Sequence, residues 1–243
     1  MKMRLLCFLL FSCAAAEAAV QIKDRNIFYE NKGKTKRITS AGRDEAAKLN
    51  PAREWIYFVR DVEGKWVGER YFPPKGVKNK DRILKQELWR VKTDGTCAKM
   101  LFRSERASID GPDPDCAIAT VGNIQFSPSG DKVYFETSEW VASAGLHVMN
   151  AEGSHERLLG GGNGTRILIS ASGSDKGKNN DNYQGYIVTN QHRYWLFGGS
   201  YDWYWLFTPE FKEVGALGED FASFTELGDM KYTDQSPQNP RNR

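Results

Sequence analysis

The feature that most constrains this chain is a strand–turn–strand pattern that recurs along it. Residues 51–58 (PAREWIYF) and 128–135 (PSGDKVYF) align without a gap, each with a proline turn before an apolar run. Downstream, residues 87–96 (ELWRVKTDGT) align with 145–154 (GLHVMNAEGS). In both, apolar and polar side chains alternate before an acidic residue and a glycine, which indicates a half-buried strand ending in a tight hairpin turn. The sequence therefore predicts repetition of one small β-sheet unit.

Fainter copies of the same pattern flank these two units. They lie at residues 27–38 and 203–214, and apolar runs at 166–170 and 185–189 supply the inner part of the last unit. The repeats thus indicate an all-β chain of about four units with four strands each, and five units are possible.

Sheets of this kind need neighbours. A lone four-stranded sheet leaves apolar surface exposed, whereas blades packed face to face around an axis hide their faces and edges. We expect residues 20–243 to form a single β-propeller domain closed by strands from both termini, with residues 221–224 and 230–233 beside the hairpin at 27–38. An open sheet fragment, or a dimer that completes the ring, is the alternative.

Two segments carry a resemblance to a known family. Residues 126–135 (FSPSGDKVYF) and 146–153 (LHVMNAEG) resemble the TolB-like repeats, relatives of the WD-type propeller blades, and residues 49–58 match apart from a lost turn glycine. The resemblance covers most of residues 25–215 and implies a propeller fold. It does not imply the function of TolB, because we expect no counterpart here of the N-terminal domain that TolB uses to pair with other Tol components.

The first residues have the composition of an export signal. Lys2 and Arg4 precede an apolar core at 5–11 (LLCFLLF), and residues 16–18 (AEA) provide the small-x-small pattern that a signal peptidase needs. So short a core is unlike a permanent membrane helix, which needs about 20 apolar residues. We expect residues 1–19 to be a signal peptide and the protein to be periplasmic or secreted, with no transmembrane span. The alternative is an envelope lipoprotein with a lipid anchor at Cys13.

Cysteine usage fits export. Cys7 and Cys13 lie in the leader, which leaves Cys97 and Cys116 in the mature chain. Two isolated cysteines in an oxidising compartment usually pair, and closing a loop of this size stabilises a fold by about 3 kcal/mol. A Cys97–Cys116 disulfide is therefore predicted, with two free buried thiols as the alternative. No metal site is expected, since the chain has only 3 His and no further ligands at zinc spacing.

Two regions are candidate binding sites. The insertion at residues 61–86 combines aromatic and basic side chains, which suit an anionic partner, although a solvated hairpin extension would look the same. The aromatic cluster at 194–207 could stack on sugar rings or simply pack blade against blade. The candidate ligand-binding residues are Trp66, Lys75, Lys78, Lys80, Tyr194, Trp195 and Trp203.

The net charge and the motifs of the chain exclude some classes of protein function. A net charge of +3 is too balanced for a nucleic-acid binder, and no nucleophile elbow of the Gly-x-Ser-x-Gly type occurs. We therefore expect no catalytic residue and no cofactor, and interpret the chain as an exported, non-enzymatic propeller that binds or scaffolds an envelope protein or glycan. The alternative is a propeller enzyme acting on carbohydrate or peptide with acids at the channel mouth, such as Asp44, Glu45 and Asp175.

The leader is tested by the mass of the mature protein. We expect export of the full-length chain to yield a free N-terminus at Ala19 or Val20, because the small residues at 16–18 fit the peptidase subsites. Mass spectrometry of the purified mature chain measures this directly. An acylated Cys13 at the N-terminus would contradict the soluble, exported form.

Overall fold

The computed structural model describes residues 18–63, 85–103, 120–138, 143–169, 183–196 and 198–219. These ranges are all β, as the sequence predicts. No helix in them is both long and apolar enough to cross a membrane. The strands are β1 (Ala19–Lys23), β2 (Asn26–Asn31), β3 (Lys34–Arg37), β4 (Asp44–Leu49), β5 (Trp55–Glu63), β6 (Lys85–Lys92), β7 (Lys99–Arg103), β8 (Val121–Phe126), β9 (Lys132–Ser138), β10 (Ala144–Asn150), β11 (Arg157–Gly161), β12 (Asn163–Ile167), β13 (Ile187–Tyr194), β14 (Ser200–Phe207) and β15 (Glu213–Gly218).

The strands form four antiparallel sheets in chain order. Blade 1 is β1-β2-β3, blade 2 is β4-β5-β6-β7, blade 3 is β8-β9-β10-β11 and blade 4 is β12-β13-β14-β15. Neighbours in sequence are therefore neighbours in each sheet. The prediction of about four propeller blades is confirmed, and blade 1 differs from the others in having three strands among the described residues.

The hairpin turns follow the repeated acidic-glycine pattern. Gly95 and Gly153 have φ of +82° and +96°, the left-handed region that a Cβ disfavours. Their N–H groups donate to the carbonyls of Lys92 and Asn150, each at 2.8 Å. The turn chemistry that marks the repeats in the sequence thus joins the third and fourth strands of blades 2 and 3.

The central strands bury side chains on both of their faces. In β5, Ile56, Tyr57, Phe58 and Val59 are all 0–1% exposed. Because successive side chains of a strand point to opposite faces, Ile56 and Phe58 pack toward Ile27 of blade 1, and Tyr57 and Val59 pack toward blade 3. Blade 2 therefore lies between two other blades.

The contact between blades 2 and 3 is aromatic at its centre. The rings of Tyr57 and Phe126 meet edge to face with centroids 5.0 Å apart. The Tyr57 hydroxyl donates to the Ala151 carbonyl at 2.8 Å, which satisfies its polar end. Burial raises the pKa of Tyr57, so the hydroxyl remains a donor. A second core continues the stack, in which Tyr134 of blade 3 packs with Ile187 of blade 4.

The first strands of blades 2, 3 and 4 provide the reference for naming the two ends of the molecule. The side-chain carbonyl of Gln86 accepts from the Val121 N–H at 2.7 Å, and Asn123 donates to the Thr165 carbonyl at 2.8 Å. These bonds tie the beginnings of β8 and β12 to the preceding blade. We name the end where β4, β8 and β12 begin the upper rim, and the end where they finish the lower mouth.

Closure of the ring stays a prediction. Residues 221–224 and 230–233, which the sequence suggests for the closing strands, lie outside the described residues. In the described ranges β1 pairs only with β2, so its other edge has no hydrogen-bonded strand, and a closing strand would take that position. Residues 1–17 of the predicted signal peptide (1–19) also lie outside them. β1 itself belongs to no repeat found in the sequence.

Close packing between the strands of blade 4 predicts a steric effect at Gly162. A Cβ there would lie well inside contact distance of the buried Thr189 hydroxyl. We expect Gly162→Ala to lower the free energy of unfolding by about 1–3 kcal/mol, the usual cost of overpacking. Urea denaturation followed by tryptophan fluorescence measures the change.

Gly122 provides the matched control. It lies in the first strand of blade 3, and a Cβ there would meet no atom within 4 Å. We expect Gly122→Ala to change the free energy of unfolding by about 0.5 kcal/mol or less. Equal effects of the two substitutions would contradict the packing described here.

Candidate interaction site at the upper rim

A long ladder carries the aromatic cluster beyond the body of blade 4. β13 and β14 pair from Ile187 with Phe207 to Tyr194 with Ser200. The loop is closed by two backbone bonds: the Trp195 N–H donates to the Gly199 carbonyl at 3.0 Å, and the Gly198 N–H donates to the Trp195 carbonyl at 3.1 Å. Since β13 runs antiparallel to β12, this hairpin tip lies at the upper rim.

The pleat of the ladder divides the aromatic residues between two faces. Trp205 is buried in the core between blades 3 and 4, and Tyr201 and Trp203 pack against that core. The indole N–H of Trp203 also donates to Glu219 at 3.3 Å. The structure thus places the predicted binding residue Trp203 in blade-to-blade packing. Trp195 is half-buried and lies with its ring centroid 4.3 Å from that of Tyr201.

The tip itself exposes apolar surface. Tyr194 is 75% exposed and Leu196 is 91% exposed, the two highest values for large apolar side chains in the described ranges. The ring of His192 meets that of Tyr194 edge-on at 5.1 Å, and its Nδ1 lies 2.9 Å from Oδ1 of Asp202. We name Tyr194, Trp195 and Leu196 the apolar tip.

Arg193 anchors the stem below the apolar tip. Its guanidinium lies 3.4 Å from the centroid of the Trp205 ring, a close cation–π contact. It also donates to Gln191 at 2.9 Å and, across β14, to Glu213 of β15 at 2.7 Å. The tip is therefore carried on a braced two-stranded stem.

One acid suggested for an enzymatic function is structural. Asp44 has a fully buried side chain, and its two oxygens accept from the Arg60 guanidinium at 2.6 and 3.0 Å. Arg60 in turn lies 4.9 Å over the Trp89 ring and 5.2 Å over the Phe58 ring. The expectation of Asp44 at an open channel mouth is therefore not met, because a bidentate ion pair draws it into blade 2.

Glu45 belongs to a polar network between blades. The Gln86 amide donates to Glu45 and to Asp61, each at 2.9 Å. Arg25 of blade 1 forms an ion pair with Asp61, and its guanidinium lies 4.0 Å from Glu45. The hydrogen bond to Asp61 raises the pKa of Arg25 above its ordinary value. Fixed donors thus hold both carboxylates, and the network joins blades 1, 2 and 3 through the Gln86–Val121 bond.

Several predicted residues lie outside the described residues. These are Trp66, Lys75, Lys78, Lys80, Asp175 and Cys116. The ends of the 64–84 segment are defined by the pairing of Glu63 with Lys85, which lies at the upper rim. Cys97 is exposed beside the turn of blade 2, and its disulfide with Cys116 stays a prediction. Roles for the four insertion residues stay predictions as well.

Sequence reasoning overlooked Leu196. The grouping of residues 194–207 rested on aromatic rings, and an aliphatic side chain between them carries no such signal. The available signal was the Gly-Gly pair at 198–199, since both glycines have φ of +91° and mark a hairpin turn. A large apolar residue at a turn is solvent-exposed unless a neighbour covers it.

Comparison with known proteins finds likeness only among solved structures. No protein-family model matches the chain, and no curated protein does. A TolB-type structure from Agrobacterium tumefaciens has 21% identity and a TM-score of 0.36, covering 59% of this chain and 46% of its own. TolB from Acinetobacter baumannii has 13% identity and a TM-score of 0.45, covering 83% and 40%.

An enzyme is among the similar structures too. An oligogalacturonate lyase in complex with manganese has 12% identity and a TM-score of 0.47, covering 82% of this chain and 50% of its own. The chain spans about half or less of each of these three proteins. With TM-scores below 0.5, none of these three matches indicates what this chain does.

The buried ion pair generates a stability prediction. We expect Arg60→Met to lower the free energy of unfolding by about 3 kcal/mol, because it leaves the Asp44 carboxylate buried without its partner. Adding Asp44→Asn to this variant should restore part of the loss. Arg157→Met, at an exposed position of β11, is the control, with an expected change of about 0.5 kcal/mol or less. Urea denaturation of all four proteins completes the test. Wild-type stability of Arg60→Met would contradict the assignment.

Proposed function

We propose that this protein is an exported, non-enzymatic propeller that binds a protein of the cell envelope through the apolar tip. The observation that carries the proposal is that highly exposed apolar side chains stand on a braced stem. Tyr194 and Leu196 are 75% and 91% exposed, and Arg193 below them is held against the Trp205 ring. Export rests on the predicted signal peptide.

The tip has the physical properties of a binding anchor. Aromatic side chains are enriched among the few residues that supply most of the energy of an interface. A tip held by backbone hydrogen bonds loses little conformational entropy on binding, so more of the contact energy appears as affinity. Leu196 and Tyr194 therefore favour a partner that offers an apolar pocket or groove.

These side chains suit a protein better than a glycan. Leu196 offers no hydrogen bond to a sugar hydroxyl, and Trp195, which could stack on a sugar ring, already lies on Tyr201. The enzymatic alternative draws less support, since Arg60 and Gln86 engage the acids Asp44 and Glu45. Roles for the insertion residues Trp66, Lys75, Lys78 and Lys80 in the same interface belong to this proposal.

Site-specific photocrosslinking tests the proposal. Tyr194 is replaced by the photoreactive residue benzoylphenylalanine, and the exported protein is irradiated in intact cells. We expect a discrete crosslinked protein band, because position 194 would face the partner. The same residue at Met100, which is 39% exposed in β7, is the positional control and should give no such band.

A second substitution makes the experiment specific for the tip. Leu196→Ser should reduce the crosslink at position 194 about tenfold, the effect of losing one strong contact residue. Leu158→Ser, at a 45% exposed position of β11, should leave it unchanged. No crosslink at 194, or a crosslink indifferent to Leu196→Ser, would refute the proposed interface. If glycosidase treatment removes the crosslinked band, the partner is a glycan and not a protein.

A further inference from the structure

A pocket opens at the lower mouth, at the opposite end from the apolar tip, where the first strands of blades 2, 3 and 4 (β4, β8 and β12, the inner strands) finish. Its volume is about 340 Å³, within the range of small-molecule sites of about 300–1,000 Å³. The last residues of the inner strands of blades 2, 3 and 4 all contribute to it. Its lining residues are Lys48, Leu49, Pro51, Gln125, Phe126, Pro128, Ile167, Ile169 and Gln184.

The walls of the pocket are apolar and held in place by the repeated turns. Phe126 and Ile167 are each 6% exposed and belong to the two interblade cores. Pro51 of blade 2 lies against Gly130 of blade 3, since a Cβ placed on Gly130 would be 3.5 Å from the Pro51 ring. Pro128 lies in the same way against Gly185 of blade 4. The prolines that mark the repeats thus support this mouth.

One cation and two amides supply the polar groups. Lys48 lies in β4, one residue before the end of the strand, and is partly buried. Within the described ranges no carboxylate pairs with its ammonium, and burial lowers its pKa below the ordinary value. Gln125 donates one amide hydrogen to Asn123 at 2.9 Å, and no described residue accepts its second amide hydrogen, which can serve a ligand. Gln184 lies exposed at the edge.

We propose that the pocket binds a small monocarboxylate with an apolar body, whose carboxylate pairs with Lys48. The apolar walls receive the body of the ligand, and the amide of Gln125 gives the carboxylate a second donor. A single ammonium matches a single negative charge. Phosphate and sulfate groups generally require several convergent donors, which these walls do not supply.

The charge of the ligand is the first test. Octanoate, 1-octanol and octylammonium share one apolar chain and differ in the head group, so calorimetric titration of the mature protein separates charge from apolar burial. We expect octanoate to bind at least about tenfold more tightly than either of the others, the gain from one charge-assisted hydrogen bond. Equal affinity for octanoate and 1-octanol, or no binding of octanoate, overturns the proposal.

Variants of Lys48 are the second test. Lys48→Met keeps the length of the side chain and removes its charge, and should reduce the affinity for octanoate about tenfold to that for 1-octanol. Lys48→Arg should recover most of it. Lys34→Met, at an exposed position of β3, is the matched control and should bind octanoate like the wild type. Unchanged binding by Lys48→Met overturns the proposal.

Nuclear magnetic resonance locates the ligand independently. Octanoate should shift the side-chain amide signals of Gln125 and Gln184, because both residues line the pocket. The signal of Asn26, whose amide is bonded to the Asp24 carbonyl at the upper rim, should not move. Shifts at Asn26 without shifts at Gln125 would place the ligand elsewhere and overturn the proposal. Substitutions in the apolar tip should leave octanoate binding unchanged, so the two proposals fail separately.

Discussion

Burial of the central strands on both faces is the constraint on which the structure depends. In β5 and β9, consecutive residues such as Ile56 and Tyr57, or Val133 and Tyr134, are at most 1% exposed although they point to opposite sides. One antiparallel sheet cannot bury both of its faces, so each blade needs a neighbour on either side. The edge-to-face contact of Tyr57 with Phe126 and the Tyr57–Ala151 hydrogen bond show how closely blades 2 and 3 fit.

Packing between blades occupies the faces of the sheets, so the two ends of the inner strands are available for binding. At the upper rim, an ion pair and the Gln86 network take up the polar groups that begin the inner strands, and the hairpin of blade 4 projects past them. At the lower mouth, the same strands finish around a pocket that contains the Lys48 ammonium, which no carboxylate of the described residues pairs with. The two proposed sites therefore depend on one scaffold yet share no side chain, and each can change without disturbing the other.

Much of the fold is readable from the sequence, whereas little of the site is. The paired repeats at 51–58 and 128–135 predict blades 2 and 3, since turn chemistry and strand alternation are local properties. β1 was missed because Ala19 falls at the end of the predicted leader and residues 19–23 copy no repeat. Asp44 and Arg60 are 16 positions apart, and nothing in their spacing predicts a bidentate bond. The aromatic cluster was recognised, but only the register of β13 on β14 shows that Trp203 packs inward while Tyr194 is exposed.

Hydrogen exchange under native conditions tests the central claim, that the blades are stable only as a stack. Amides of Phe58 in β5, Phe135 in β9 and Val188 in β13 should exchange with one common free energy, because opening any blade exposes the faces of its neighbours. Weakening a single interface by Phe126→Ala should lower all three values together. Three separate free energies, with the effect of Phe126→Ala confined to blades 2 and 3, would contradict the account.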